Sequence, residues 1–333
     1  MRVDYKGFIE EYFTITTTDG NIVPFVFNDI QDYYYNLLLE DYGRELSGIR
    51  ENILKSRRFG FSSIIDAMFT TDFILSELGE IPITNSDVYS IKDRDTQVLF
   101  TRVNQFIDSY LLKDQGGDYI DLSHRKDIPK LRNAFLKKDE SGTIIVGKNG
   151  AEYHCLTAGA RVSGRGGTKQ NIHWSEVAFY NNTDILNARD LVTGAEEQVS
   201  GGIGKIFRET TGNVSDDFFN EEYYLGKDGI SDFKSRFLAW HLFGAYTKQA
   251  PEDWQPPAYY DGVRSSGVSI NQCYWHFEKT RGLTDKRRLR EYPTTDTEAF
   301  LLGGDPFFDQ EALTYYTNNI IQPIKTAEYV GAL

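Results

Sequence analysis

Apolar positions change period along this chain, and the changes mark its elements. Residues Phe25 to Leu39 pass from strand-like alternation into helical spacing. Asn28 or Asp29 stands ready as N-cap, which places Gln31 in the first helical turn. Asn52 to Leu54 reads as a buried strand. After a cation-rich turn, an amphipathic helix runs from Ile64 to Leu78, and the two elements form half of a βαβ unit. Asp87 to Ile91 predicts a second strand. Thr96 opens a long helix with apolar positions at Val98, Leu99, Val103, Phe106, Ile107 and Tyr110. The charged stretch 113–127 reads as a surface connection. Residues 143–147 and 151–157 flank Lys148-Asn149-Gly150, predicting a hairpin with a type I′ turn.

A Gly/Arg-rich segment, Gly159 to Thr168, leads into the strand-like Ile172-His173-Trp174-Ser175-Glu176. Residues Gly204 to Asn213 give a further strand ending in small polar side chains. Alternating strands and helices imply an α/β fold with a mainly parallel central sheet covered on both faces. Beyond Asp216 the periodicity weakens into aromatic-rich segments punctuated by Pro251, Pro256 and Pro257, which suggests a smaller lid subdomain. The expected division is 1–215 for the core and 216–333 for the lid. The chain shows no internal repeat.

Composition narrows the class. Of 333 residues 40% are hydrophobic, with 22 Phe and 21 Tyr against two Met, so a rigid aromatic core is expected and disorder is not. No apolar run reaches the ~18 residues of a membrane span, and Met1 to Lys6 lacks the apolar segment of a secretion signal. A soluble, intracellular protein is expected. Cys155 and Cys273 are too few for a disulfide framework and are expected to be buried thiols. The net charge of −13 argues against a surface that binds nucleic acid throughout. Local phosphate contacts remain open at three basic clusters: Lys55-Arg57-Arg58, Arg161-Arg165-Lys169, and Lys286-Arg287-Arg288-Arg290.

The first of these clusters has the layout of a phosphate-binding loop. In the usual G-x-x-x-x-G-K-[ST] pattern, backbone N–H groups surround the phosphates, the lysine reaches the β and γ oxygens, and the hydroxyl holds Mg²⁺. Here Gly60 and Ser62 match. Lys55 replaces the first glycine and Phe61 the usual lysine, so the cation has moved to the front of the loop. A basic turn before a helix is more often plain surface, and the rest of the chain supplies what that reading lacks. Glu176 ends a strand where a general base would stand, although a glutamate there also caps turns. Gly164-Arg165-Gly166 presents a guanidinium on a flexible loop, suited to a γ-phosphate. Glu209-Thr210-Thr211-Gly212-Asn213 ends a third strand in groups suited to sensing that phosphate. The order is cradle, arginine loop, acid strand and polar strand, as one nucleotide site requires.

These stretches, with Glu291-Tyr292-Pro293 and Glu298-Ala299-Phe300, resemble the ATPase domain of the large terminase subunit, the DNA-packaging motor of tailed bacteriophages and related viruses. The likeness covers about residues 20 to 310. It implies a P-loop NTPase fold of the ASCE type, acting on ATP with Mg²⁺. Lys55 and Arg58 would contact the phosphates, with Ser56, Arg57, Gly60, Phe61 and Ser63 completing the loop. Ser62 would hold the metal, Glu176 would activate water, and Gln31 would read adenine. Arg165, with Arg161 second, is the implied arginine finger. Thr210, Thr211 and Asn213 would couple hydrolysis to movement. Ser175 departs from the family pattern, where an aspartate supports the metal, and would act through a bound water.

The resemblance further implies double-stranded DNA, a portal protein and a small terminase subunit as partners, and a homo-oligomeric, pentameric ring. The place of action would be the cytoplasm of an infected bacterium, docked on the procapsid. Full large terminases carry a C-terminal metal-dependent nuclease. Only Asp305, Asp309 and Glu311 follow the Glu-Ala-Phe segment here, so a motor without that nuclease is expected. Two other readings of the residues are a weakly active nucleotide-binding assembly module and a helicase-like DNA remodeller.

Overall fold

The computed structural model describes residues 3–137, 142–158, 167–180, 187–213 and 218–300. Helix α1 (Tyr5–Tyr12), a small hairpin of β1 (Thr14–Thr16) and β2 (Ile22–Pro24), and α2 (Asp29–Tyr42) lead into β3 (Arg50–Lys55) and α3 (Phe61–Glu77). Then come β4 (Asn85–Ser90), α4 (Asp93–Asp114), α5 (Ile128–Phe135), β5 (Ile144–Val146), β6 (Glu152–Thr157) and β7 (Asn171–Ser175). Helix α6 (Ala188–Glu196), β8 (Lys205–Thr210), α7 (Phe218–Lys227) and β9 (Lys234–Leu238) complete the sheet region. The short helices α8 (Asp261–Ser265), α9 (Ile270–Thr280), α10 (Asp285–Glu291) and α11 (Asp296–Phe300) follow.

Seven strands form one sheet in the order β5-β6-β4-β7-β8-β3-β9. Every pairing in it is parallel except β5 with β6. The mainly parallel α/β architecture expected from the alternation is therefore present. Parallel strands place their carboxyl ends along one edge, and ligands of such sheets bind beyond that edge. The edge carries Lys55 at the end of β3, Ser175 and Glu176 at the end of β7, and Glu209 and Thr210 at the end of β8. Strand β8 lies between the other two.

Three expectations need correction. Helix α3 is not amphipathic in use: all its residues except Ser62 are buried, because α1 and α4 pack over it. Its polar residues read as a solvent face but have buried partners instead. Asp72 accepts from Tyr5 Oη (2.6 Å), Lys205 Nζ (2.8 Å) and Asn171 Nδ2 (2.9 Å). The hairpin turn is not type I′, since Gly150 has positive φ (106°) and Asn149 does not. Asn149 is held by α3 instead, its N–H donating to Glu77 Oε2 (2.7 Å) and its Nδ2 to the Glu77 carbonyl (2.6 Å). The boundary expected at residue 215 falls inside the sheet, because β9 pairs with β3 along Glu51 to Lys55.

Beyond β9 the aromatic segments form their own cluster of Trp240, Tyr260, Val263, Cys273 and Tyr292. Cys155 and Cys273 are both buried free thiols. His276 stacks on Trp240 with ring centroids 4.4 Å apart. A carbonyl can only accept, so His276 Nε2 donates to Tyr292 O (3.1 Å) and Nδ1 accepts from Tyr260 Oη (2.8 Å). Both nitrogens are satisfied by the neutral ring. Burial, with the Arg288 guanidinium adding to it, pushes the His276 pKa down to about 3.

The folded pKa lies below the unfolded value of about 6.5, so this residue's stabilisation is present above pH 6.5 and is lost as pH falls toward 3. Its loss is expected to cost up to about 1.4 kcal/mol per pH unit. Urea titrations followed by tryptophan fluorescence at pH 7, 6 and 5 should show a falling midpoint that His276→Gln flattens. A variant whose midpoint tracks the wild type at every pH would contradict the assignment.

Candidate functional site

Strand β3 is buried from Glu51 to Lys55, and the chain then turns sharply through Ser56 to Gly60. Arg58 (φ 61°) and Gly60 (φ 78°) are left-handed, which reverses the backbone and starts α3. Glycine suits position 60 because its φ of 78° strains any side chain, and a Cβ there would also lie 2.6 Å from Gln31 Nε2. Gly60 caps α3 without any side-chain bond, leaving the Phe61 and Ser62 N–H groups without a partner among the described residues and open to an anion. Ser56 Oγ is buried without a hydrogen-bond partner among the described residues. Ser63 is buried in the first turn, its N–H bonded to Gly60 O (3.1 Å).

Gln31 sits where its helix was expected to begin. Asn28 caps α2 through a reciprocal box in which Asn28 N donates to Gln31 Oε1 (3.0 Å) and Gln31 N to Asn28 Oδ1 (2.9 Å). Gln31 Nε2 then donates to Gly60 O (2.9 Å), so this side chain braces the loop. Phe61 turns its ring into the core against Tyr34 (4.8 Å) and Phe59 (6.2 Å). What Phe61 offers the loop is its main-chain N–H.

Lys55 is buried and extends across the strand ends. Its Nζ lies 3.3 Å from Glu176 Oε1 and 3.0 Å from Glu209 Oε2. Burial disfavours the ammonium, but Glu176 and Glu209 outweigh that and raise its pKa. Glu209 is fully buried, and burial opposes its ionisation too. Lys55 and His173 reverse the balance and hold its carboxyl well below the usual carboxylate range. Glu209 Oε1 accepts from Ser62 Oγ and from Ser175 Oγ (3.1 Å). His173 sits 3.1 Å from Asp66 through Nδ1 and 3.4 Å from Glu209 through Nε2. Burial lowers its pKa, but the two carboxylates raise it to about 9, so the ring is an imidazolium at neutral pH. Arg102 completes the set at 2.8 Å from Asp66. Three cations thus face three carboxylates.

Glu176 is held at φ 56°, a left-handed conformation uncommon for a side chain of this size. Strain of this kind persists where the surroundings hold it. Glu176 Oε2 accepts from Thr211 N (3.0 Å) and Thr211 Oγ1 (3.2 Å), with Thr210 Oγ1 at 3.5 Å. Asn213 Nδ2 donates to Ala178 O on the turn after Glu176. The acid strand and the polar strand are therefore bonded to one another through the glutamate.

The C-terminal segment closes over the same edge. Arg57 N donates to Glu291 O (3.0 Å), Arg57 Nη1 donates to Glu291 Oε2 (2.8 Å), and Tyr246 Oη donates to Arg57 O. Gly212 lies against Ala299, where a Cβ would meet the Ala299 carbonyl oxygen at 2.2 Å. Arg57 is thus occupied by a carboxylate, whereas Arg58 is exposed with no ion pair among the described residues.

The structure brings together Lys55, Ser62, Ser175, Glu176, Thr210 and Thr211. Arg161 and Arg165 lie outside the described residues, as do Asp305, Asp309 and Glu311. Lys169, read as part of a basic cluster, is buried with Nζ 2.7 Å from Asp87 and offers no surface contact. Arg288 and Arg290 lie over Tyr259 (4.4 Å) and Phe179 (5.7 Å). Sequence reasoning missed His173, Asp66, Arg102 and Glu291, and gave Glu209 no role. No signal in one sequence pairs residues so far apart.

Oxygen donors at Ser62, Ser175 and Glu209 suit a hard cation such as Mg²⁺. Among the described residues no group of three or more His, Cys, Asp or Glu side chains forms a metal cage. Such an ion would take its remaining ligands from phosphates and water. No described helix is long and apolar enough to cross a membrane.

No protein-family model and no curated protein matches the chain. Solved structures do. The crystal structure of the HK97 bacteriophage large terminase aligns over 94% of this chain and 58% of its own, with TM-score 0.53 and 12% identity. A point variant of the Thermus phage P74-26 large terminase ATPase domain aligns over 81% of this chain and 98% of its own, with TM-score 0.46 and 14% identity. The chain shares its α/β fold with the HK97 large terminase over the aligned residues, and it spans 58% of the length of that protein.

Glu291→Gln keeps the size of the side chain but removes the charge that holds Arg57. Because the Arg57 side chain is about half exposed, the pair should contribute at most ~1 kcal/mol to global stability. Hydrogen exchange should show faster amide exchange over residues 56 to 60 with little change in melting temperature. Unchanged exchange there would remove the latch.

Proposed function

We propose that this chain is the ATP-hydrolysing motor of a terminase-type machine that drives double-stranded DNA into a preformed capsid. The observation that carries the proposal is the buried Lys55 ammonium at the front of the loop, paired at once with Glu176 and Glu209. The fold it shares with a solved large terminase supports the same reading.

Catalysis of phosphoryl transfer rests on positioning and on electrostatic stabilisation. The open N–H groups at the start of α3, with Lys55 and Arg58, bind and orient the triphosphate. Gln31 sits beside the loop where an adenine would be read. Lys55 exchanges a carboxylate for a phosphate partner on binding, which releases Glu176 to take a proton from water. Ser62 would hold a Mg²⁺ ion, with Ser175 acting through its water shell, and the ion would supply positive charge against the phosphates. Thr210 and Thr211, bonded to Glu176, transmit its change of partner to the Gly212 and Ala299 contact and so to the C-terminal segment. Arg165, or Arg161, completes the site of a neighbouring subunit in a ring. The ring, pentameric in this proposal, works with a portal protein and a small terminase subunit on the procapsid, in the host cytoplasm.

Glu176→Gln is expected to lower ATP turnover by about 10²–10⁴-fold while leaving nucleotide binding in place. Lys55→Ala should abolish turnover and also destabilise the fold by ~3–5 kcal/mol, because it leaves two carboxylates without their cation. Steady-state phosphate release and thermal melts measure both. Wild-type turnover by Glu176→Gln would remove Glu176 as the general base. Mixing folded Arg165→Ala protein with folded Glu176→Ala protein should restore activity if the finger acts between subunits, and no recovery would place it within one subunit or remove its role.

A further inference from the structure

We propose that Glu209 is the carboxylate supporting the Mg²⁺ of the nucleotide site, supplied from β8 in place of the acid that Ser175 does not provide on β7. The inference rests on the ATPase reading of the site and assigns a role within it. P-loop enzymes hold their metal between the loop hydroxyl and an acid at the end of a neighbouring strand. Ser175 has a hydroxyl at that strand position and no charge.

The register shows where the charge has gone. Ser175 of β7 and Glu209 of β8 are direct partners in the parallel ladder, so their side chains leave the same face of the sheet. Adjacent strands lie about 4.8 Å apart, and glutamate is one methylene longer than aspartate, a step back toward the loop. Glu209 Oε1 accepts from both hydroxyls of the proposed metal site, Ser62 and Ser175. Glu209 Oε2 is buried without a hydrogen-bond partner among the described residues, and its contact with Lys55 at 3.0 Å is ionic. Glu209 therefore has the loop-hydroxyl bond of a metal-supporting acid, and its second oxygen faces the Lys55 ammonium, which the proposed function turns toward the phosphates. Counter-ion duty toward Lys55 alone would not require a carboxylate set between two serine hydroxyls.

The test is calorimetric binding of a non-hydrolysable ATP analogue, in Mg²⁺ and in EDTA, to wild type, Glu209→Gln and the double variant Ser175→Asp with Glu209→Gln. Electron paramagnetic resonance of Mn²⁺ with the same analogue provides a second readout. In wild type the metal should raise affinity. Glu209→Gln should shrink that gain by about 10–100-fold, with affinity in EDTA little changed. The double variant should recover at least about tenfold of it and restore the bound-Mn²⁺ signal. If Glu209→Gln does not fold, Glu209→Asp keeps the charge needed by Lys55 and His173, and its gain should shrink by about tenfold. A metal gain equal to wild type in the folded glutamine or aspartate variant overturns the proposal. So does a folded double variant that recovers nothing. Wild-type protein that binds no nucleotide under either condition overturns the ATPase reading itself, a result distinct from both.

Discussion

A single buried ammonium holds this structure's strand ends together. Lys55 leaves the end of β3, passes the end of β8 and reaches Glu176 at the end of β7, so three parallel strands are tied by one side chain. A cation so placed is costly to bury and persists only because carboxylates surround it. The same carboxylates need His173, Asp66 and Arg102 behind them, which extends the network into α3 and α4. Charge balance in a dry interior therefore constrains the loop, the sheet and two helices together.

That constraint also makes the site responsive. A fully apolar strand edge would have no reason to rearrange when a polyanion arrives. In the proposed function an incoming phosphate would compete with Glu176 and Glu209 for the same ammonium, and Glu176 is joined to Thr211 by two hydrogen bonds. The loop's other side is held by Glu291 and Tyr246 from the C-terminal segment. The segment that touches the loop also touches Gly212, so movement at either place is felt at the other.

The aromatic C-terminal cluster follows a different logic. It is built from stacked rings and a neutral histidine rather than from ion pairs. Its sensitivity is to acid, whereas the strand edge depends on paired charge. Strand β9 belongs to the sheet, and of the segments after it Trp240, Tyr260, Val263, Cys273 and Tyr292 form this cluster while Ala299 and Phe300 pack into the core beside the sheet.

The sequence by itself determined the elements and their class. Periodicity located β3, α3, α4, the hairpin and β7, and alternation gave the parallel sheet, because these features depend on neighbours a few residues apart. It also located the loop, since Gly60, Ser62 and the basic residues lie within a short stretch. Tertiary structure alone decided what the polar residues do. Asp66 and Asp72 lie on a helix expected to be amphipathic and proved to be buried partners of residues more than thirty-five positions away. Lys169 read as a phosphate contact and is closed in a pair with Asp87. Glu209 could not be connected with Ser175 until the register was known, because a parallel ladder between β7 and β8 is set by long-range packing. Pairings across the fold carry no local signature, and in this protein they place the charge on which the site depends.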